Sequence, residues 1–302
     1  MRHRDCWPPV RWNGFLNSTE RRNTRDKMLY VTIARPVPPA GKTGLLERVV
    51  MMRRLVMGFA LLVSLSVAAP AEAITNGAAD GDQHPNVGGL VAPTAYSDGT
   101  WVYCSGTLIS PTVFLTAAHC NEGGDGRVRV TFSTAYQDGD VTYAGTFHGD
   151  PLYDNAQSDP HDIAVVVLDT AVKKAIIPAT LPAAGSLSKL SSAQTFTSVG
   201  YGAYEVTNQP GGHRYLYNDV RMVATGTLNA TNAAWLRISM NPATGNGGTC
   251  YGDSGGPNFL GSSGTVAAIT ITGDAICQST NVDYRLDTAS ARSFLKQYVT
   301  LS

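Results

Sequence analysis

Arg127-Val128-Arg129-Val130-Thr131-Phe132 alternates polar and apolar residues. That is the period-2 pattern of a strand with one buried and one wet face. The signal recurs in both directions from there. Asp219-Val220-Arg221-Met222 repeats the alternation, and residues 101–109, 112–116, 163–168, 195–200, 235–240 and 266–272 are further strand candidates. Turn-forming clusters such as Asp138-Gly139-Asp140 and Asn208-Gln209-Pro210-Gly211-Gly212 separate them. Many short strands without intervening helices imply a sandwich or barrel. One helix is expected, over about 288–299. Asp287 or Thr288 is placed to cap it, and Phe294, Leu295, Tyr298 and Val299 form one apolar stripe.

The composition agrees. Of 302 residues, 43% are hydrophobic and 15% charged, which excludes wholesale disorder and a coiled coil. The formal net charge of zero conceals an asymmetry. Residues 1–73 hold 12 of the 23 Lys+Arg and 5 of the 23 Asp+Glu, leaving 11 basic and 18 acidic groups in residues 74–302. A net acidic main part argues against nucleic acid as its partner.

The front of the chain reads as a leader. Arg53 and Arg54 precede an apolar run from Leu55 to Ala69, followed by Ala71-Glu72-Ala73, a small-x-small cleavage site. These are the three parts of a secretory signal peptide over 51–73. The run of 15 residues is short of the roughly 20 needed to span a bilayer, so no stable membrane association is expected after cleavage. Residues 1–50, basic and proline-dotted, read as a start called too early, with Met51 or Met52 the true start; the alternative is a basic extension on an uncleaved anchor. Secretion suits the cysteines. Cys6 lies in the leader, and Cys104, Cys120, Cys250 and Cys277 remain. Four cysteines allow three pairings, and no CxxC pair marks a zinc site.

Three motifs carry chemistry. Thr116-Ala117-Ala118-His119-Cys120 follows a hydrophobic strand, Asp162-Ile163-Ala164-Val165 opens another, and Gly252-Asp253-Ser254-Gly255-Gly256-Pro257 forms a glycine-rich loop. In this order they resemble the chymotrypsin/trypsin-like serine endopeptidases, from Ile74 to about Val299. The resemblance implies two packed antiparallel six-stranded β-barrels, about 74–180 and 190–284, within a peptidase domain over 74–302. It implies Ser254 as nucleophile, His119 as acid and base, Asp162 as the orienting carboxylate, and the N–H groups of Gly252 and Ser254 as the oxyanion hole. It pairs Cys104 with Cys120 and Cys250 with Cys277. It implies an activation pair in which the α-ammonium of a new terminus at Ile74 meets Asp253. The other histidines, His84, His148, His161 and His213, read as ordinary; His161, beside Asp162, points the opposite way in an extended segment.

The resemblance also has gaps. Gly248 stands at the pocket floor, where an Asp would signal Arg/Lys preference, and Gly273 matches a pocket-wall glycine. Where the family has a Ser near the catalytic Asp and an aromatic beyond it, this chain has Ile271 (or Thr270) and Thr272. Asp283 is a pocket candidate, although a solvated outward carboxylate is the plainer reading. A neutral or apolar P1 residue is therefore expected. Polypeptide substrates and protein protease inhibitors are the expected partners of a monomer. No cofactor or metal is implied; the acidic loop at 122–125 reads as a solvated turn, with calcium the alternative. An esterase using the same site and a non-catalytic binding protein on the same fold are the competing functions.

Overall fold

The computed structural model describes residues 74–122 and 126–301. The stretches read above as leader (1–50) and signal peptide (51–73), and most of the acidic loop, lie outside them. Among these described residues fifteen strands and one α-helix follow in order: β1 Ala78–Ala79, β2 Val87–Val91, β3 Val102–Ser110, β4 Val113–Thr116, β5 Arg127–Thr131, β6 Thr142–Gly149, β7 Ala164–Leu168, β8 Thr195–Gly200, β9 Glu205–Gln209, β10 Gly212–Leu216, β11 Met222–Thr231, β12 Trp235–Ser239, β13 Pro257–Leu260, β14 Val266–Gly273, β15 Thr280–Arg285 and α1 Ala289–Leu295.

The strands close into two antiparallel barrels. The first runs β2-β3-β4-β7-β6-β5 and closes by β5 on β2. The second runs β11-β12-β15-β14-β13-β8, closes by β8 on β11, and carries β1 as an extra edge. The hairpin β9–β10 stands apart from both. Closure removes the free edges that an open sheet of such strands would expose.

The alternation in 127–132 does what its period requires. Val128 and Val130 are buried while Arg127 is exposed. β5 pairs with β2 on one side and β6 on the other. The first barrel's interior holds Leu90, Leu108, Phe114, Val130 and Val166, each fully buried. Leu187, Phe196, Leu236 and Ile238 pack together in the second.

The stretch 219–222 departs from expectation. Only Met222 joins a strand, and the polar members point inward: Asp219 and Arg221 are both buried. Asp219 adopts φ +55° and its carboxylate accepts the N–H groups of Trp101 (2.6 Å) and Val102 (3.0 Å). Alternation identified the polar positions but not the hydrogen-bond partners that let them be buried. The helix is capped by Thr288, whose hydroxyl accepts the Ala291 N–H at 3.2 Å. It ends at Leu295, not 299, in turns that bond Gln297 to Phe294 and Tyr298 to Leu295. Asp287 instead pairs with Arg285 and accepts the Leu187 N–H.

Candidate active site

β4 ends at Thr116 opposite Ala164, the first residue of β7. The residues just beyond these neighbouring strand ends are therefore close in space. His119 lies in the single helical turn Ala118–Cys120 after β4, and Asp162 lies two residues before β7. The Asp162 carboxylate is buried and accepts two hydrogen bonds from His119: from the backbone N–H at 3.0 Å, and at 2.7 Å from Nδ1. With the proton on Nδ1, the Nε2 lone pair is free to act as a base.

Burial opposes charging the His119 ring, but the adjacent Asp162 carboxylate outweighs it, and the imidazole pKa stands above its ordinary value. The side chain keeps 14% of its surface accessible.

The glycine-rich loop brings Ser254 to this place. The Ser254 carbonyl accepts the Ser105 N–H at 2.9 Å and lies 3.6 Å from Cys120 Sγ. Gly255, at φ +77°, packs so closely on Thr116 and Ala117 that a Cβ would overlap them. Across its other side, Gly255 N–H donates to Thr270 O and Thr270 N–H to Gly256 O. Among the described residues no acceptor takes the N–H of Gly252 or of Ser254.

Both disulfides form, Cys104–Cys120 and Cys250–Cys277. The first lies against the imidazole: its sulfurs and a His119 ring nitrogen are within 4.8 Å of one another. Bonded as a disulfide, these sulfurs offer no thiolate to a metal.

Asp253 is fully buried and accepts Gly202 N–H (2.8 Å) and Cys250 N–H (2.9 Å). Burial pushes its pKa up to about 7, against the pull of those two bonds. A Cβ on Gly202 would overlap the carboxylate, so glycine is what admits it. Ile74 is fully buried beside Met222 and Ala224. Thr75 bridges to Gly248 in the loop that leads to Ser254, and Asn76 donates to Asn246 O.

At the expected pocket, a Cβ on Gly248 would meet the Met240 side chain, and Gly273 lies opposite Asn281 in the β14–β15 ladder. Asp283 is not the solvated carboxylate of the plainer reading. It is fully buried, and its Oδ1 accepts Asn258 Nδ2 (2.7 Å) and Thr270 Oγ1 (3.3 Å) behind the nucleophile loop. Burial raises its pKa well above the usual carboxylate range, against the pull of the hydrogen bonds from Thr270 and Asn258. His161 is not in an extended segment either: its φ is +51°, and its ring faces Asp150 and Asp159.

Two closed barrels with a His–Asp pair and a glycine-cradled Ser where they meet describe the double-barrel hydrolases. The sequence model of the trypsin family matches residues 82–294, and the chain belongs to that family, the serine endopeptidases. Among solved structures it is similar to HL collagenase, at 18% identity and a TM-score of 0.55, over 76% of this chain and 96% of that one. No curated protein matches the sequence.

Proposed function

We propose that this endopeptidase is exported and cleaves polypeptides through an acyl-enzyme, with His119, Asp162 and Ser254 as its catalytic triad. The observation that carries the reading is the doubly bonded His119–Asp162 pair beside the Ser254 loop. Ser254 Oγ attacks the scissile carbonyl carbon while His119 Nε2 takes the hydroxyl proton. The oxyanion forms against the free N–H groups of Gly252 and Ser254. The C–N bond then breaks, with His119 returning the proton to the leaving amine. Water repeats the sequence on the ester and releases the acid. The imidazolium formed midway is stabilised by Asp162. Each oxyanion donor is worth about 3–4 kcal/mol of barrier.

The P1 residue is neutral. Gly248 brings no carboxylate to the floor, and the Asp283 carboxyl is fully buried and turned onto Asn258 and Thr270. An unpaired guanidinium would not recover its desolvation there. The cut that exposes Ile74 is the activating one. Ala71-Glu72-Ala73 ends directly before it, so signal cleavage itself makes the terminus. In the uncut chain Ile74 must hold φ +53°, a strained value for a β-branched residue. Cleavage relieves this, because φ is defined by the preceding carbonyl. Protein protease inhibitors would block the same cleft, and the mature enzyme is a monomer free of the membrane.

Ser254→Ala tests the triad. Turnover of a peptide substrate falls at least about a thousandfold while the melting curve is unchanged, and His119→Ala adds little on top. Retained turnover rejects the assignment. Labelling by a sulfonyl fluoride separates enzyme from binding protein, and a peptide library separates peptidase from esterase and reads P1 directly.

A further inference from the structure

We propose that His161 is a positioning residue, stapled to Asp150, that aims the Asp162 carboxylate at His119. The inference rests on the reading of Asp162 as the orienting carboxylate and adds a residue that the motifs leave out.

The chain leaves the first barrel after Gly149, at the end of β6, and returns at Ala164, which is paired with Gly149. Asp150 and Ile163 flank that closing pair, and Asp150 N–H donates to Ile163 O at 2.9 Å. Ile163 N–H in turn donates to His161 O at 2.8 Å. That bond closes a three-residue turn with Asp162 at its centre. The direction of the Asp162 side chain is therefore fixed by the backbone of His161 on one side and Ile163 on the other.

Ile163 is anchored by the barrel. His161 has no strand to hold it, and its φ of +51° is one that a side-chain-bearing residue keeps only when its surroundings enforce it. The enforcement is visible in the ring. Nδ1 lies 2.9 Å from Asp150 Oδ2, and Nε2 faces Asp159 Oδ2 at 3.9 Å. Both carboxylates are themselves tied down. Asp150 Oδ1 accepts Leu152 N–H at 3.0 Å, and Asp159 Oδ1 accepts Tyr284 OH at 2.8 Å from the second barrel. Asp150 thus grips the turn twice, by its backbone at Ile163 and by its side chain at His161.

The consequence is geometric. Asp162 must meet two donors of His119 at once, at 3.0 and 2.7 Å. A turn free to relax out of the left-handed region would rotate the carboxylate off one or both. His161 touches no reacting atom; it acts through Asp162.

Three substitutions at His161 separate the staple from the backbone conformation. Asn accepts left-handed φ, and its Nδ2 stands two bonds from Cβ, as His Nδ1 does, so it keeps both features. Gly keeps the conformation and loses the staple; Ala loses both. In the mature enzyme, with kcat counted per titrated active site, His161→Gly and His161→Ala lower kcat by about 10- to 100-fold at little-changed KM. His161→Asn recovers most of the loss. The low-field proton resonance of the His119 Nδ1–H shifts in the Gly and Ala variants and stays in place in the Asn variant.

Asp150→Ala cuts the staple from the other side with His161 intact. It repeats the Gly result, and decides the matter should the His161 variants fail to fold. Wild-type kcat and an unmoved resonance in His161→Gly or in Asp150→Ala overturn the proposal. Asp162→Asn is run beside them: if it leaves activity intact, the triad reading is what fails, whereas loss there with wild-type behaviour at His161 and Asp150 rejects only the positioning role.

Discussion

At His119 two effects of comparable size meet with opposite sign. Burial favours the neutral ring, and the carboxylate of Asp162 at 2.7 Å favours the charged one and prevails. In the proposed mechanism attack by Ser254 needs the neutral ring, so kcat/KM is expected to fall as pH drops through this raised pKa. Asp162→Asn removes the stabilising charge. The acid limb of the pH–rate profile then moves to lower pH, and kcat falls about 10⁴-fold because the ring is no longer held in the productive tautomer. A profile measured from about pH 4 to 9 on both proteins checks both effects. Asp283 shows the opposite balance. Burial outweighs the neutral amide and hydroxyl donors that face it, and its pKa is raised. That the His119, Asp162 and Ser254 segments belong to one place was legible because their residue types and order carry chemistry by themselves; their catalytic roles are those proposed above. The fate of Asp283 was not, since a strand's alternation does not say whether a polar face meets water or partners.

The elements show the same division. Residues 127–132 and 195–200 announced their strands because polar and apolar positions alternate or β-branched and aromatic residues dominate. β2, Val87-Gly88-Gly89-Leu90-Val91, did not. All five residues are buried, so there is no wet face to mark its period, and its glycines are there because β5 and β3 pass too close for a Cβ. The bulged β14–β15 ladder was half legible: β14 reads as an apolar run, whereas β15 carries Asn281 and Asp283 inward. The helix was readable from its stripe and cap. Thr288→Ala leaves the Ala291 N–H without its acceptor, and unfolding free energy falls by about 1 kcal/mol in a denaturant titration. Activity is unchanged, since the helix end does not touch the site.

For the molecule as a whole, a fully buried arginine fastens the two barrels and the N-terminal segment. Arg221 donates from Nε to Asp80 (2.8 Å), from Nη1 to the carbonyls of Val87 (3.1 Å) and Phe132 (3.2 Å), and from Nη2 to Gly81 (2.6 Å). Arg221→Met fills the space but takes the guanidinium from the buried Asp80 carboxylate, leaving it only the His84 N–H and ring, and removes that donor from three carbonyls. Thermal or denaturant unfolding of that variant registers a loss of about 3–5 kcal/mol. The same segment supplies the last prediction, at Asp253. While Ala73 precedes Ile74, the Ile74 nitrogen is a peptide N–H and cannot neutralise a carboxylate. Asp253 then titrates at about 7 in the fold, against about 4 in an unfolded chain. Between these values the folded state binds the extra proton. The contribution of Asp253 to the stability of the uncut chain is therefore greatest in acid and declines as pH rises from about 4 to about 7, by up to about 4 kcal/mol. A terminal ammonium at Ile74 reverses the sign, because the charged carboxylate becomes the paired form. For a chain that begins upstream of Ile74, melting temperatures are thus expected to fall across that range relative to its Asp253→Asn variant, and for the chain that starts at Ile74 to stay level or rise relative to that variant. In the mature chain the proposed Ile74–Asp253 pair predicts that Asp253→Asn also abolishes turnover. A mature chain whose active N-terminus proves to be any residue but Ile74, or whose Asp253→Asn variant turns over normally, removes the activation pair.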